Sequence, residues 1–210
     1  IARAKAIKYV LEHERIYINE HDYFVGLYSL SRLANRTTFD KWAKDSQSLR
    51  DTDTLECSRD FNNSGAVMIW TDYDHVVPDW KSLMELGFSG IRERAREYKK
   101  KHKENGTLNS EMTAFFEGIE IQYTAIIELI DRMYYTALKQ EFEKATKITE
   151  CLKNLRNGAP SSFYEALQFF RIIHYSLWLE GDYHNTVGRF DKFAYPYLKA
   201  DMEKGLYTEE

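Results

Sequence analysis

The sequence predicts a mainly α-helical protein with a few short extended segments, and three observations carry that reading. Apolar residues recur at helical spacing through several long stretches. Capping residues and helix breakers stand where those stretches begin and end. Only 3 prolines and 10 glycines accompany 15 tyrosines and 12 phenylalanines, a balance suited to helices packed through aromatic side chains. With 210 residues and 43% hydrophobic content, the chain can bury one substantial core.

The elements follow in order. Ala6, Ile7, Val10 and Leu11 predict a helix over residues 2 to 12, and Ile16-Tyr17-Ile18 predicts a short extended segment that ends near Gly26. Residues 29 to 65 are polar, with scattered Leu and Trp42, and predict loop or short irregular helices. Val67 to Trp70 is a short apolar run consistent with a buried extended segment. Pro78 disfavours helix at Val77, and Asp79 is placed to cap a helix carrying Trp80, Leu83, Leu86, Ile91 and Ala95. After the break at Gly106, Ser110 can cap a long helix carrying Met112, Phe115, Phe116, Ile119, Tyr123, Ile126, Ile127, Ile130, Met133 and Tyr134, whose wide apolar face predicts a helix largely enclosed and not lying on the surface. A further helix around Ile148 to Leu155 is closed by Asn157-Gly158-Ala159-Pro160. The next opens on a capping box, Ser162 with Glu165, and shows an apolar face of Leu167, Phe170, Ile173, His174 and Leu177.

Charge and cysteine usage narrow the function classes. A net charge of -4 leaves no broad basic field for nucleic acid. The basic run Lys99 to Lys103, with Arg92, Arg94 and Arg96, is answered by Glu93, Glu97 and Glu104 and reads as a solvated helix face. Cys57 and Cys151 form neither a CxxC nor a cysteine–histidine cluster, so reduced structural thiols are expected, with no zinc site. Glu117, Glu120 and Glu128 lack the Glu-x-x-His pairs of a di-metal bundle. No apolar run reaches the roughly 20 residues that span a bilayer, and no signal peptide opens the chain, so the expectation is a cytoplasmic protein with no membrane partner.

Three stretches, in the same order, resemble the glycyl radical enzymes, the family of pyruvate formate-lyase and the radical diol dehydratases. The first is Arg3-Ala4-Lys5-Ala6 followed by Ile16-Tyr17-Ile18 and Val25-Gly26. The second is Asp74-His75-Val76-Val77-Pro78-Asp79-Trp80, with Leu86-Gly87-Phe88 and Gly90-Ile91 after it. The third and most specific runs from Ser162-Phe163-Tyr164-Glu165 through Glu180-Gly181, Gly188-Arg189-Phe190-Asp191 and Tyr195-Pro196-Tyr197 to Asp201 and Gly205. One departure is the stretch from Leu27 to Trp70, which is shorter than the family's usual connection.

The resemblance implies that these helices, residues 1–210 as one helical portion, wrap part of a ten-stranded α/β barrel. It also implies a glycyl radical in the full-length enzyme, a thiyl-forming cysteine, a radical S-adenosylmethionine activating enzyme and a homodimer. Neither cysteine here sits in the family's catalytic motif, and no glycine loop of the Arg-Val-Ser/Ala-Gly-Tyr type is present, so no catalytic residue is expected in these 210 residues, which alone should be inactive and sticky. By the same resemblance His75, with Asp74 beside it, falls where a residue just before a helix faces a small-molecule substrate. That position is an arginine in pyruvate formate-lyase-like members and a histidine in glycerol-dehydratase-like ones. Histidine can hydrogen-bond an alcohol in either protonation state, whereas arginine offers a cationic fork suited to a carboxylate. His75 therefore favours a dehydratase-type lyase acting on a hydroxylated substrate.

By the same resemblance, the loop of His184, Asn185 and Thr186 falls where related dehydratases place a hydroxyl-bearing substrate contact, which makes Thr186 the candidate for it, with a plain loop as the alternative. Arg189 and Asp191, two residues apart and so on different faces of a helix, read as anchoring ion pairs. His174 reads as a hydrogen-bonded core histidine, and His13, His21 and His102 as exposed. Open alternatives are a formate C-acetyltransferase or decarboxylase of the same family, and a non-catalytic helical interaction module.

Overall fold

The computed structural model describes residues 1–26, 63–64, 76–180 and 185–208. The chain divides into two compact units, residues 1–27 with 76–210 and residues 28–75, and the first contains all six helices described below. These are α1 (Ala2–His13), α2 (Trp80–Glu104), α3 (Ser110–Ala137), α4 (Ala145–Asn157), α5 (Phe163–Glu180) and α6 (Phe190–Glu203). No strand is present among the described residues, so Ile16-Tyr17-Ile18 is irregular backbone and not a β segment. The stretches expected as loop over 29 to 65 and as extended over 67 to 70 lie outside the described residues, Asn63 and Ser64 excepted.

Helix α3 is the hub, packing against α1, α2 and α4, while α5 lies against α1, α4 and α6. Ala4, Ile7 and Leu11 of α1, Leu129, Ile130 and Met133 of α3, and Ile148, Leu152 and Leu155 of α4 are all buried, and each set repeats at the helical period. Enclosure of α3 is partial. Ala125, Leu129, Ile130, Met133 and Ala137 are buried, whereas Phe115 is 63% exposed and Phe116, Ile126 and Ile127 are partly open. Its N-cap is Asn109, whose side chain accepts from the Met112 amide at 2.8 Å, one residue before the expected Ser110.

Two irregularities shape the bundle. Asp79 caps α2 as the sequence predicts, accepting from the Ser82 amide at 3.2 Å. The helix is then kinked at Gly87, whose φ of 64 and ψ of -179 are open only to glycine. Helix α4 ends at Asn157, but Gly158 is extended and not left-handed; its bare backbone is the surface that Gly87 approaches.

Irregular residues 14–26 are held by side chains in place of a sheet. The Gln168 amide accepts from the Val25 N–H at 2.8 Å and donates to the Val25 carbonyl at 2.9 Å, with both residues 1% exposed. Tyr175 donates its hydroxyl to Glu14 at 2.9 Å, and Arg132 donates to the carbonyls of Leu11 (2.7 Å) and Glu14, satisfying the end of α1.

Candidate functional site

The second and third family-like stretches meet at the entry to α2. Of the residues expected to touch substrate, Asp74 and His75 lie outside the described residues. Thr186 is exposed, and its backbone N–H donates to the Val76 carbonyl at 3.2 Å, with its hydroxyl 3.4 Å from the same oxygen. The loop carrying Thr186 is thus bound to the residue that follows His75 in the chain.

Helix propensity and aromatic packing hold this entry in place. Pro78 removes a backbone donor and fixes φ just before the helix. The Ser82 hydroxyl and amide hold the Asp79 carboxyl below the usual carboxylate range, favouring the charged form that caps the helix. Trp80 is buried, with its ring centroid 4.7 Å from Phe193 and 5.1 Å from Phe170, and Phe190 closes the cluster at 5.5 Å from Phe170. Among the described residues no acceptor faces the buried indole N–H of Trp80. Gly188, at φ 60, turns the loop across the edge of this ring.

Arg189 and Asp191 do pair, but with each other. Two parallel bonds of 2.8 and 2.6 Å join the guanidinium to the carboxylate. The expectation that they point to different faces fails because Arg189 is the N-cap of α6, outside the helix, and its long side chain turns back over the first turn. The guanidinium draws the fully exposed Asp191 carboxyl down to about 2.

Helix α5 carries the floor of the cluster. Its capping box is offset: Ser162 Oγ accepts from the Glu165 amide at 3.2 Å, while the Glu165 carboxylate bonds the Ser161 amide (2.7 Å), the Ser161 hydroxyl (2.8 Å) and Asn154 (2.7 Å). The Phe163 amide is instead capped across the fold by Asp201, at 2.7 Å. The most deeply buried face is Ala166, Phe169, Ile172 and Ile173, rotated from the expected Leu167, Phe170 and Leu177, which are partly open. Helices on two sides of α5 bury more of it than a single amphipathic stripe would show. His174 is half-buried beside Phe170, and burial, then the Arg171 charge, lower its pKa.

The remaining candidates have structural partners. Cys151 is buried in the α4 core, which pushes its thiol well above the ordinary range, with the Glu165 charge adding to the effect. It does not fit a radical-bearing cysteine, and Cys57 lies outside the described residues. Glu117 pairs with Lys99 (3.1 Å), Glu120 with Arg96 and Glu128 with Lys8 (3.9 Å). His13 and His21 are exposed, while His102 is partly covered, with its ring nitrogen 2.8 Å from the Thr107 hydroxyl. No helix among the described residues is long and apolar enough to cross a membrane.

Sequence reasoning missed Gly188 as a packing position and the aromatic seat under it. The available signal was a glycine one residue before a helix cap, in a stretch that also supplies Phe190 and Phe193.

The family described as pyruvate formate lyase-like matches this chain over residues 36–210. The (2S)-3-sulfopropanediol dehydratase of Klebsiella oxytoca is 26% identical over 148 residues, covering 65% of this chain and 18% of the dehydratase. The glycyl radical subunit of 4-hydroxyphenylacetate decarboxylase from Clostridioides difficile is 29% identical over 140 residues, covering 60% of this chain and 16% of the subunit. The chain therefore spans less than a fifth of these relatives' length. Among solved structures, a glycyl radical enzyme from Archaeoglobus fulgidus superposes with a TM-score of 0.75 at 21% identity, over 99% of this chain and 33% of that one. An enzyme of 1,2-propanediol dehydration from Roseburia inulinivorans gives 0.74 at 20%, over 99% and 31%. At these identities the superpositions show a shared fold.

Proposed function

The chain belongs to the pyruvate formate lyase-like family, and from that premise we propose that it supplies the helical shell of a glycyl radical enzyme of the dehydratase type, wrapped on a ten-stranded α/β barrel. The reaction is loss of water from a small hydroxylated substrate. A glycyl radical, acting through a cysteine thiyl that is neither Cys57 nor Cys151, would supply hydrogen abstraction from the carbon that bears the hydroxyl. The residues of this chain bind and orient.

His75 holds the substrate hydroxyl, an alcohol being a partner for imidazole in either protonation state. Asp74 and Thr186 complete the polar contacts. Support comes from one observation above all: the Thr186 loop is hydrogen-bonded to the residue after His75, on a helix entry fixed by Pro78, Asp79 and Trp80. The dehydratase relative from Klebsiella oxytoca favours this chemistry. A homodimer and a radical S-adenosylmethionine activating enzyme belong to the same reading.

A decarboxylase is the second reading, favoured by the Clostridioides difficile relative. Assays of the activated whole enzyme against glycerol, propanediol, hydroxyproline, 4-hydroxyphenylacetate and pyruvate separate the two, with turnover of a diol or hydroxyproline expected. His75→Ala is expected to lower kcat/KM for the hydroxylated substrate by about 10²-fold or more. An unchanged value discards the role of His75.

A further inference from the structure

Helix α2 is bent at Gly87 into two pieces that run along different helices. Residues 80–86 follow α6 in matching register: Phe193 stacks on Trp80 at 4.7 Å, and one turn further along both helices Tyr197 donates its hydroxyl to the Met84 carbonyl at 3.2 Å. Residues 88–104 follow α3 instead, through Phe88 and Tyr123 (6.4 Å), Arg92 and Thr124 (3.1 Å), Arg96 and Glu120 (2.8 Å), and Lys99 and Glu117 (3.1 Å). Each piece also sets one ring against α5, Trp80 on Phe170 and Phe88 on Phe169. One printed side-chain bond crosses the bend, from Arg94 to the Ser82 hydroxyl at 3.1 Å.

Backbone chemistry explains why Tyr197 stands where it does. A helical bond from the Phe88 N–H to the Met84 carbonyl requires helical angles at residues 85, 86 and 87, and Gly87, at φ 64 and ψ -179, does not have them. The Met84 carbonyl thereby loses its intrahelical partner, and Met84 is buried, so the carbonyl needs another donor from within the fold. The Tyr197 hydroxyl supplies it. Burial, then the Glu85 charge, raise the pKa of Tyr197, so the hydroxyl keeps the proton it donates. The bend also lays Leu86 on the turn that follows: a Cβ built at Gly90 would stand 2.9 Å from Leu86 Cβ.

We propose that Gly87 is a joint in α2 and Tyr197 its latch: residues 80–86 open and close with α6 as one block, residues 88–104 stay with α3 as another, and the bond from the Tyr197 hydroxyl to the Met84 carbonyl keeps the first block shut. The first block carries the entry to α2 and, through the loop that leads into α6, Thr186. The joint therefore lets that entry open while the packing between α2 and α3 is kept. This inference stands independently of the functional reading above.

Hydrogen exchange of the whole enzyme, read by mass spectrometry on peptides covering residues 80–86 and 90–101, tests it. Tyr197→Phe removes one hydroxyl and keeps the ring. It is expected to speed exchange over residues 83–86 by about tenfold, the consequence of leaving a buried carbonyl unpaired, while residues 92–101 stay within about twofold of the parent. Unchanged exchange over 83–86, or the same acceleration in both pieces, overturns the inference, because α2 then opens as a single unit.

Arg94→Ala removes the bond that crosses the bend and leaves Tyr197 in place. Its expected effect over residues 83–86 is below about threefold, the long arginine side chain adding little to a segment already held by Tyr197. An effect larger than that of Tyr197→Phe would transfer the latch to Arg94 and overturn the assignment to Tyr197.

Discussion

Gly87 and Gly158 cross backbone on backbone: a side chain begun at Gly87 would stand 2.7 Å from both the carbonyl carbon and the carbonyl oxygen of Gly158. The contact joins the kink of α2 to the end of α4 and brings Phe88 to 4.3 Å from Phe169 in the core. Gly87 is needed twice, once for its backbone angles and once for its lack of bulk.

Gly87→Ala is accordingly expected to destabilise the chain by about 2 to 4 kcal/mol, the sum of a glycine-only conformation and an overpacked contact. Urea denaturation reads this directly. A loss below about 0.5 kcal/mol, the ordinary range of a surface change, would mean that the two backbones can separate without cost.

Gln168 replaces a strand for Val25, giving and accepting one hydrogen bond in a site closed to water. Gln168→Leu leaves both Val25 groups buried and unpaired, at an expected cost of about 2 to 4 kcal/mol. The Val25 amide should exchange faster by more than its neighbours in α1. Uniform acceleration would show that the bond holds no local structure.

Asp201 caps α5 from another helix, and its carboxylate, 2% exposed as a side chain, also meets Lys204 at 3.1 Å. Asp201→Ala is expected to cost about 1 to 3 kcal/mol, while Asp201→Asn keeps an acceptor for the Phe163 amide and should recover most of it. Equal losses for both would assign the effect to Lys204 and not to the cap.

His174 gives a pH dependence of stability. Its pKa is lowered in the fold, by burial first and Arg171 second, so below the ordinary histidine value the unfolded chain binds more protons than the folded one. Stability should therefore fall as pH drops through about 6.5, the unfolded value, and level off below the folded pKa. Comparing urea midpoints at pH 7.5 and 5 should show a smaller drop in His174→Gln than in the parent. An identical drop would place the dependence elsewhere.

Much of this architecture was legible in the residues. Pro78 and Asp79 announced the start of α2 because proline geometry and a carboxylate cap act within four residues. Asn157-Gly158 announced the end of α4 for the same local reason. The three family-like stretches named the family because their order and spacing are properties of the sequence itself.

What the sequence could not carry was decided between elements distant in the chain. The rotation of α5 depends on α1, α4 and α6 together, so its own periodicity misjudged the buried face. Val25 is satisfied by a side chain 143 residues away, a partner that no local pattern announces. Gly87 kinks α2 because Gly158 lies against it, and Gly188 matters because Val77 fills the space beside it. Local propensity fixed where helices begin and end, while close contact between backbones far apart in sequence fixed which glycines and amides the fold cannot exchange.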